Sequence, residues 1–100
     1  MNMQNLIQQA QKIQREMQKE KEELYETVFK ISKNGIVTLE IYGNKTIKAI
    51  NIEPDALEKD NKEMIETAIK TGLDDIYNAI DQKEVEIEEK YSKTPGGFGF

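Results

Sequence analysis

The chain has 100 residues, a length that suits one domain with a thin hydrophobic core. Charged side chains make up 33% and the formal net charge is −5. Leu, Ile, Val and Phe still number 24, above the roughly 20% under which a highly charged chain is expected to be disordered. The sequence has no cysteine and no histidine, which excludes disulfides and zinc–thiolate sites and leaves acyl-transfer chemistry without its usual base. We therefore expect a folded protein without catalytic machinery of these classes.

The lack of cysteine also suits a reducing compartment, so the expected location is the cytoplasm. The opening stretch, MNMQNLIQQAQKIQREM, lacks the basic start and long apolar run of a secretory signal. No stretch approaches the roughly 18 apolar residues that a membrane span needs. We expect no membrane partner.

A first helix is predicted from Met3 to Leu24, where apolar residues recur at alternating steps of three and four, interrupted only at Glu20. This spacing, without Gly or Pro, is typical of an amphipathic helix with a coiled-coil-like seam. Such a helix would be about 33 Å long and would overhang strands of six or seven residues, which span roughly 20 to 24 Å. We therefore expect a second helix or another subunit to cover its N-terminal part.

The middle of the chain predicts a three-stranded antiparallel meander. Residues facing opposite sides of a strand alternate with a period of two from Tyr25 to Ile31, and residues 32–35, which favour a turn, follow. Two further alternating runs are separated by Gly43 and Asn44, and Pro54 closes the last one. The inward residues of the second and third strands are predicted to form the core or a dimer contact: Val37, Leu39, Ile41, Ile50 and Ile52.

A second helix is predicted after the turn at residues 53–55. Asp60 and Glu63 have the spacing of a capping box, and periodic apolar residues follow from Met64 to Ile80. Gly72 and the weakly apolar stretch 82–89 leave open whether the helix continues as far as residue 91. The predicted architecture is α-β-β-β-α, an α+β fold, with a single domain over residues 1–91 and a flexible Gly- and Phe-rich tail over residues 92–100.

The sequence predicts no metal site, no cofactor and no small-molecule substrate. Carboxylates are plentiful in the second half, but Asp74 and Asp75 would point about 100° apart on a helix and would not converge. The C-terminal glycines lack the following helix and lysine of a phosphate loop. We therefore expect a protein that is not an enzyme.

The first helix carries cations opposite its apolar seam. Measured from Ile13 at about 100° per residue, Lys12, Arg15 and Lys19 lie about 100° to 160° away, and Gln8 lies among them. We call these four residues the basic face. An ordinary solvated helix surface and a contact with a polyanion both fit it. Charge is uneven along the chain, with a net +2 over residues 1–48 and −7 over residues 49–100.

Four segments together carry a family resemblance: QQAQKIQREMQKEKEEL, GIVTLEIYGNKTIKAINIEPDAL, DNKEMIETAIKTGLDDI and the Gly/Phe terminus. The most specific positions are Gly35, Gly43 and the exit from the sheet at residues 52–54. In order and spacing the chain resembles the YbaB/EbfC family of bacterial nucleoid-associated proteins. The resemblance implies a small homodimer of the cytoplasm and nucleoid, with a central sheet and projecting helical arms. It also implies binding to double-stranded DNA with limited sequence dependence and no enzymatic activity.

The resemblance assigns DNA contacts to the projecting helices, and in this chain the matching helix carries the basic face. Lys21 lies on the packing side and is a poorer candidate, while Lys45 and Lys48 at the hairpin are secondary candidates. Two other readings stay open at this point. One is an acidic helical chaperone that holds client segments with its apolar seam, and the other is a structural adaptor.

Overall fold

The structure, a computed structural model, describes residues 2–92. The predicted α-β-β-β-α order is confirmed, and the described part of the chain is elongated, measuring 70 × 21 × 14 Å. Two 3₁₀ turns, Pro54–Ala56 and Lys59–Asn61, precede the last helix. The main elements are α1 (Met3–Glu26), β1 (Val28–Lys33), β2 (Val37–Tyr42), β3 (Ile47–Ile52) and α2 (Lys62–Ser92).

Helix α1 begins and ends with side-chain caps. The Asn2 side chain accepts a 2.8 Å hydrogen bond from the backbone N–H of Asn5, which satisfies one unpaired donor of the first turn. At the other end, the Thr27 N–H donates to the Leu24 carbonyl oxygen at 3.0 Å, and the Thr27 hydroxyl donates to the carbonyl of Glu23. The helix therefore has defined boundaries at both ends.

The predicted start of β1 at Tyr25 is wrong, because Tyr25 belongs to α1. Its hydroxyl donates a 2.9 Å hydrogen bond to the Glu84 carboxylate of α2, a contact that the sequence pattern could not reveal. The strand starts three residues later, at Val28. A long-range contact thus extends the helix into a segment whose local alternation favours a strand.

The sheet is an antiparallel meander in the order β1-β2-β3. Asn34 and Gly35 have φ values of 55° and 68°, as a type I′ hairpin turn requires. Leu39 pairs with Ile31 of β1 and with Ile50 of β3, so these three side chains share one face of the sheet. A bulge between Glu40 and Ile41 shifts the register of β3.

Helix α2 packs on the β1 and β2 part of that face. Gly72 lies at the closest approach, since a Cβ atom there would stand 2.6 Å from Cδ1 of Leu39. The glycine expected to weaken the helix is therefore a packing position, and α2 continues unbroken to Ser92. The buried core cluster consists of Val37, Leu39, Ile41, Ala68, Ile76 and Ile80.

Strand β3 is covered less than β2 in the single chain, although Ile52 packs against the buried core cluster. Ile50 is 43% exposed and Ile52 is half-buried, although their partners in β2 are fully buried. The reason is that α2 crosses β1 and β2 rather than β3. Ile50 thus lies outside the buried core of the single chain.

The predicted capping box also differs from the structure. Asp60 lies inside the 3₁₀ turn that precedes α2 rather than at the boundary of the helix, which begins at Lys62. The Asn61 side-chain amide donates to the Ala56 carbonyl at 3.0 Å, and this contact ties the two 3₁₀ turns together. Ser92, the first residue of the predicted tail, is helical, and residues 93–100 lie outside the described part of the chain.

Gly43 anchors the sheet to α1, and its replacement is expected to be costly. Its N–H donates to the Thr27 carbonyl at 2.8 Å, and an added Cβ would lie 1.9 Å from the Leu24 carbonyl oxygen. Because backbone must shift to make room, Gly43→Ala should lower the free energy of unfolding by about 2 kcal/mol or more in urea titrations. Gly35→Asn is the matched control, because Asn tolerates the positive φ and open space surrounds that position. Equal losses for the two variants would contradict this account.

Candidate nucleic-acid interface

Helix α1 and the last part of α2, residues 81–92, pack side by side, and we call this pair the arm. Leu24 is buried in it, and Ile13 and Met17 are half-buried. The cross-helix partners run in opposite directions along the two helices, which makes the pair antiparallel. These partners are Tyr25 with Glu84 (2.9 Å), Lys21 with Glu88 (2.8 Å) and Glu20 with Lys90 (3.1 Å).

Glu20, the polar interruption of the predicted seam, is a cross-helix contact. Its carboxylate accepts hydrogen bonds from the Tyr91 hydroxyl and from the Lys90 ammonium group of α2. The bond from Tyr91, and then that from Lys90, hold the pKa of Glu20 below its ordinary value. The same carboxylate raises the pKa of Tyr91 to about 12. Sequence reasoning missed this role, although the break in the apolar spacing was its signal.

The contribution of Glu20 to the arm should depend on pH. A carboxyl group with a lowered folded-state pKa contributes stability that is present above its ordinary value of 4.5 and is lost as the pH falls through the lowered value. Glu20→Gln, which keeps the shape but removes the charge, should therefore slightly lower the melting temperature at pH 7. Well below pH 4 the two proteins should melt alike. A difference that persists there would show that charge is not the cause.

The basic face lies on the side of α1 that points away from α2. Gln8, Lys12, Arg15 and Lys19 are all exposed, whereas α2 contacts the opposite side of the helix. Within residues 2–92, the three cations take part in none of the ion pairs. The structure thus brings the sequence-predicted residues together on one solvent-facing surface of the described chain.

The other candidate cations are in different situations. Lys21 is on the packing side as predicted: its side chain is 18% exposed, and the hydrogen bond to Glu88 raises its pKa. Lys45 pairs with Asp81 at 2.8 Å, so its charge is already engaged. Lys48 is exposed and, among the described residues, forms no ion pair.

Two acidic side chains of α2 lie behind the basic face, whereas Glu16, Glu22 and Glu23 of α1 itself are exposed to solvent. Glu84 and Glu88 of α2 point to α1, where they accept hydrogen bonds from Tyr25 and Lys21. Packed helices lie about 8 to 10 Å apart, which is close to the Debye length at physiological salt. The body of α1 therefore separates these two carboxylates from any anion on its basic face.

The described residues, 2–92, show no candidate metal site and no candidate membrane span. This part of the chain contains no group of three or more acidic, Cys or His side chains placed to hold a metal ion. None of its helices combines the length and apolar character of a bilayer span.

The fold has a counterpart among solved structures. The crystal structure of HP0035, an uncharacterized protein from Helicobacter pylori, matches with a TM-score of 0.71 at 20% sequence identity. The match covers 90% of this chain and 96% of that chain. At this level of identity the likeness shows a shared fold.

The sequence has clearer relatives. A nucleoid-associated protein of Lactococcus lactis subsp. cremoris is 36% identical over 102 residues, covering 100% of this chain and 99% of the relative. A nucleoid-associated protein of Clostridium novyi is 39% identical over 98 residues, covering 97% and 83%. The sequence profile of the YbaB/EbfC DNA-binding family matches residues 1–97. These descriptions denote DNA binding and nucleoid association rather than a known class of enzyme. The chain belongs to the YbaB/EbfC DNA-binding family.

Proposed function

We propose that this chain binds double-stranded DNA in the nucleoid as a homodimer, through the basic faces of its arms and with limited sequence specificity. The observation that carries the proposal is the exposed set of Lys12, Arg15 and Lys19, which lies on the side of α1 away from α2 and forms no ion pair within residues 2–92. Cations in such an arrangement bind phosphate oxygens, which position a protein on DNA without reading its bases.

The size of the basic face explains why one arm would bind weakly. Lys12 and Lys19 are seven residues apart, or about 10 Å along the helix axis. That distance matches roughly three base-pair rises of 3.4 Å, so one arm reaches two or three phosphates of a strand. Two arms in a dimer double the number of contacts and make the binding bivalent.

Two features support the homodimer. The outer edge of β3 has no neighbouring strand among the described residues, and such an edge is usually protected. Large apolar side chains are also exposed on β3, in the segment that leads into α2 and in the first turn of α2. They are Ile47 (45%), Ile50 (43%), Leu57 (62%) and Met64 (49%). A second copy that covers this surface would enlarge a core that is thin in the single chain.

Titration of unrelated duplexes across a range of salt concentrations tests the proposal. The affinities should be similar for different sequences, and log K should fall with log salt at a slope no steeper than about −5, since two arms with three cations offer at most six contacts. Sedimentation should give about twice the chain mass of 11.5 kDa. Failure to bind any duplex at about 50 mM salt would overturn the proposal. Binding of apolar peptides with weak salt dependence would then favour a chaperone.

A further inference from the structure

The N-terminal end of α1 extends past the described end of α2. Tyr91 and Ser92 line a shallow groove of about 210 Å³ together with Ile13 and Met17, so α2 reaches only this level of α1. The ten residues from Met3 to Lys12 continue for roughly 15 Å beyond it. The second helix therefore covers only part of the predicted overhang.

This overhang has an apolar surface of its own. Met3 is 72% exposed, Leu6 37% and Ile7 50%, and Ala10 is half-buried. With Ile13 and Met17, residues 3, 6 and 10 continue the alternating spacing of three and four that two-stranded coiled coils use. We call Met3, Leu6, Ile7 and Ala10 the tip patch.

The chemistry around the tip patch points to a partner of the same kind. Residues 2–11 contain no charged side chain, although a third of the chain is charged, and their polar positions are filled by Asn and Gln. From residue 12 onward, α1 carries the usual mixture of Lys and Glu. Two copies of an uncharged helix can approach closely without like-charge repulsion, whereas a charged partner would find no complementary charge there.

We propose that the tip patch of one molecule packs antiparallel against the tip patch of another, and that this contact links DNA-bound dimers. The linking of duplexes rests on the proposed function, whereas the contact between tips does not. The contact involves only about two helical turns, so it buries little apolar surface and is weak on its own. Dimers held on neighbouring DNA raise each other's effective concentration, which makes such a contact effective there.

The geometry of α1 allows both surfaces to act at once. At about 100° per residue, the tip patch centres roughly 160° away from the basic face around the helix. When two helices pack through their tip patches, their basic faces therefore point outward in opposite directions. Each face can hold a different duplex, so the pair of tips forms a bridge between two DNA segments.

A double variant separates tip contact from DNA binding. Leu6→Gln with Ile7→Gln removes the largest apolar groups of the patch without changing the net charge, and glutamine is a good helix former. Gln4→Ala with Gln11→Ala is the matched control, because it changes the same segment outside the tip patch, about 100° around the helix from its centre. Sedimentation without DNA, up to about 1 mM protein, should show concentration-dependent growth beyond the basal assembly for wild type and the control. The double variant should associate at least about tenfold more weakly.

The bridging step is measured by capture of a labelled duplex on beads that carry a second duplex. Wild type and control should capture it, whereas the double variant should lose most of the capture and bind each single duplex with unchanged affinity. A wild-type mass independent of concentration would overturn the tip contact, as expected if the patch is covered from within the same chain. Equal assembly by the double variant would overturn it as well. If wild type binds no duplex at all, the proposed function is overturned. The sedimentation result without DNA would still decide whether the tips contact each other.

Discussion

Replacing Lys12, Arg15 and Lys19 together with alanine is expected to weaken binding to unrelated duplexes by at least about 100-fold at 0.1 M salt. Counterion release from six phosphate contacts contributes a factor of up to about 10⁵ at this concentration, and the variant loses these cations from both arms. The salt dependence of the variant should be nearly flat. Alanine favours helix and the three positions lie opposite α2, so the melting temperature should change little.

The control for this experiment removes the same charge from other places. Lys30, Lys59 and Lys70 are exposed, and in the described part of the chain none of them forms an ion pair. Their combined replacement by alanine changes the net charge by the same three units. The control should bind duplexes within a few-fold of wild type. If both triple variants lose affinity equally, net charge rather than the basic face determines binding.

The second large effect is expected for a pair of positions that face each other in the sheet. Leu39 and Ile50 are cross-strand partners on the same face, yet Leu39 is fully buried and Ile50 is 43% exposed. Leu39→Asp places a charge in the core, which costs about 4 kcal/mol or more, a large part of the stability of a domain of this size. We therefore expect Leu39→Asp to be unfolded at 25 °C.

Ile50→Asp should have a different result, because the side chain already contacts solvent in the single chain. Circular dichroism should retain the helical signal, while sedimentation should shift from about twice to once the chain mass of 11.5 kDa. A dimer that covers β3 would bury the charge of the new aspartate, and the cost of removing it from water would favour the monomer. A folded Ile50→Asp protein that keeps the dimer mass would move the dimer contact away from this surface.

Several elements could be predicted because local spacing reports them directly. Three features depend only on residues close together in sequence. They are the seam of α1, the two-residue alternation of β2 around Leu39 and the turn at Asn34 and Gly35. The grouping of Lys12, Arg15 and Lys19 followed from the rotation of about 100° per residue in a helix. These features need no knowledge of the rest of the fold.

Other features depend on contacts between residues far apart in sequence. Glu20 interrupts an apolar pattern, and only the position of Tyr91 shows that it joins two helices. Ile50 has the same alternation as Leu39, but its burial depends on which strands α2 crosses. Gly43 is required because a carbonyl oxygen of α1 lies where a side chain would be.

The sequence by itself thus determined the order of the elements, their amphipathic faces and the family to which the chain belongs. Only the tertiary structure decided which of those faces are covered, where α1 ends and how far α2 extends along it. The physical reason is that periodicity depends on residues within one or two turns, whereas burial and hydrogen bonding depend on what packs against them. The basic face required both the sequence and the tertiary structure. Helical spacing grouped its residues, and the packing of α2 on the opposite side left them exposed.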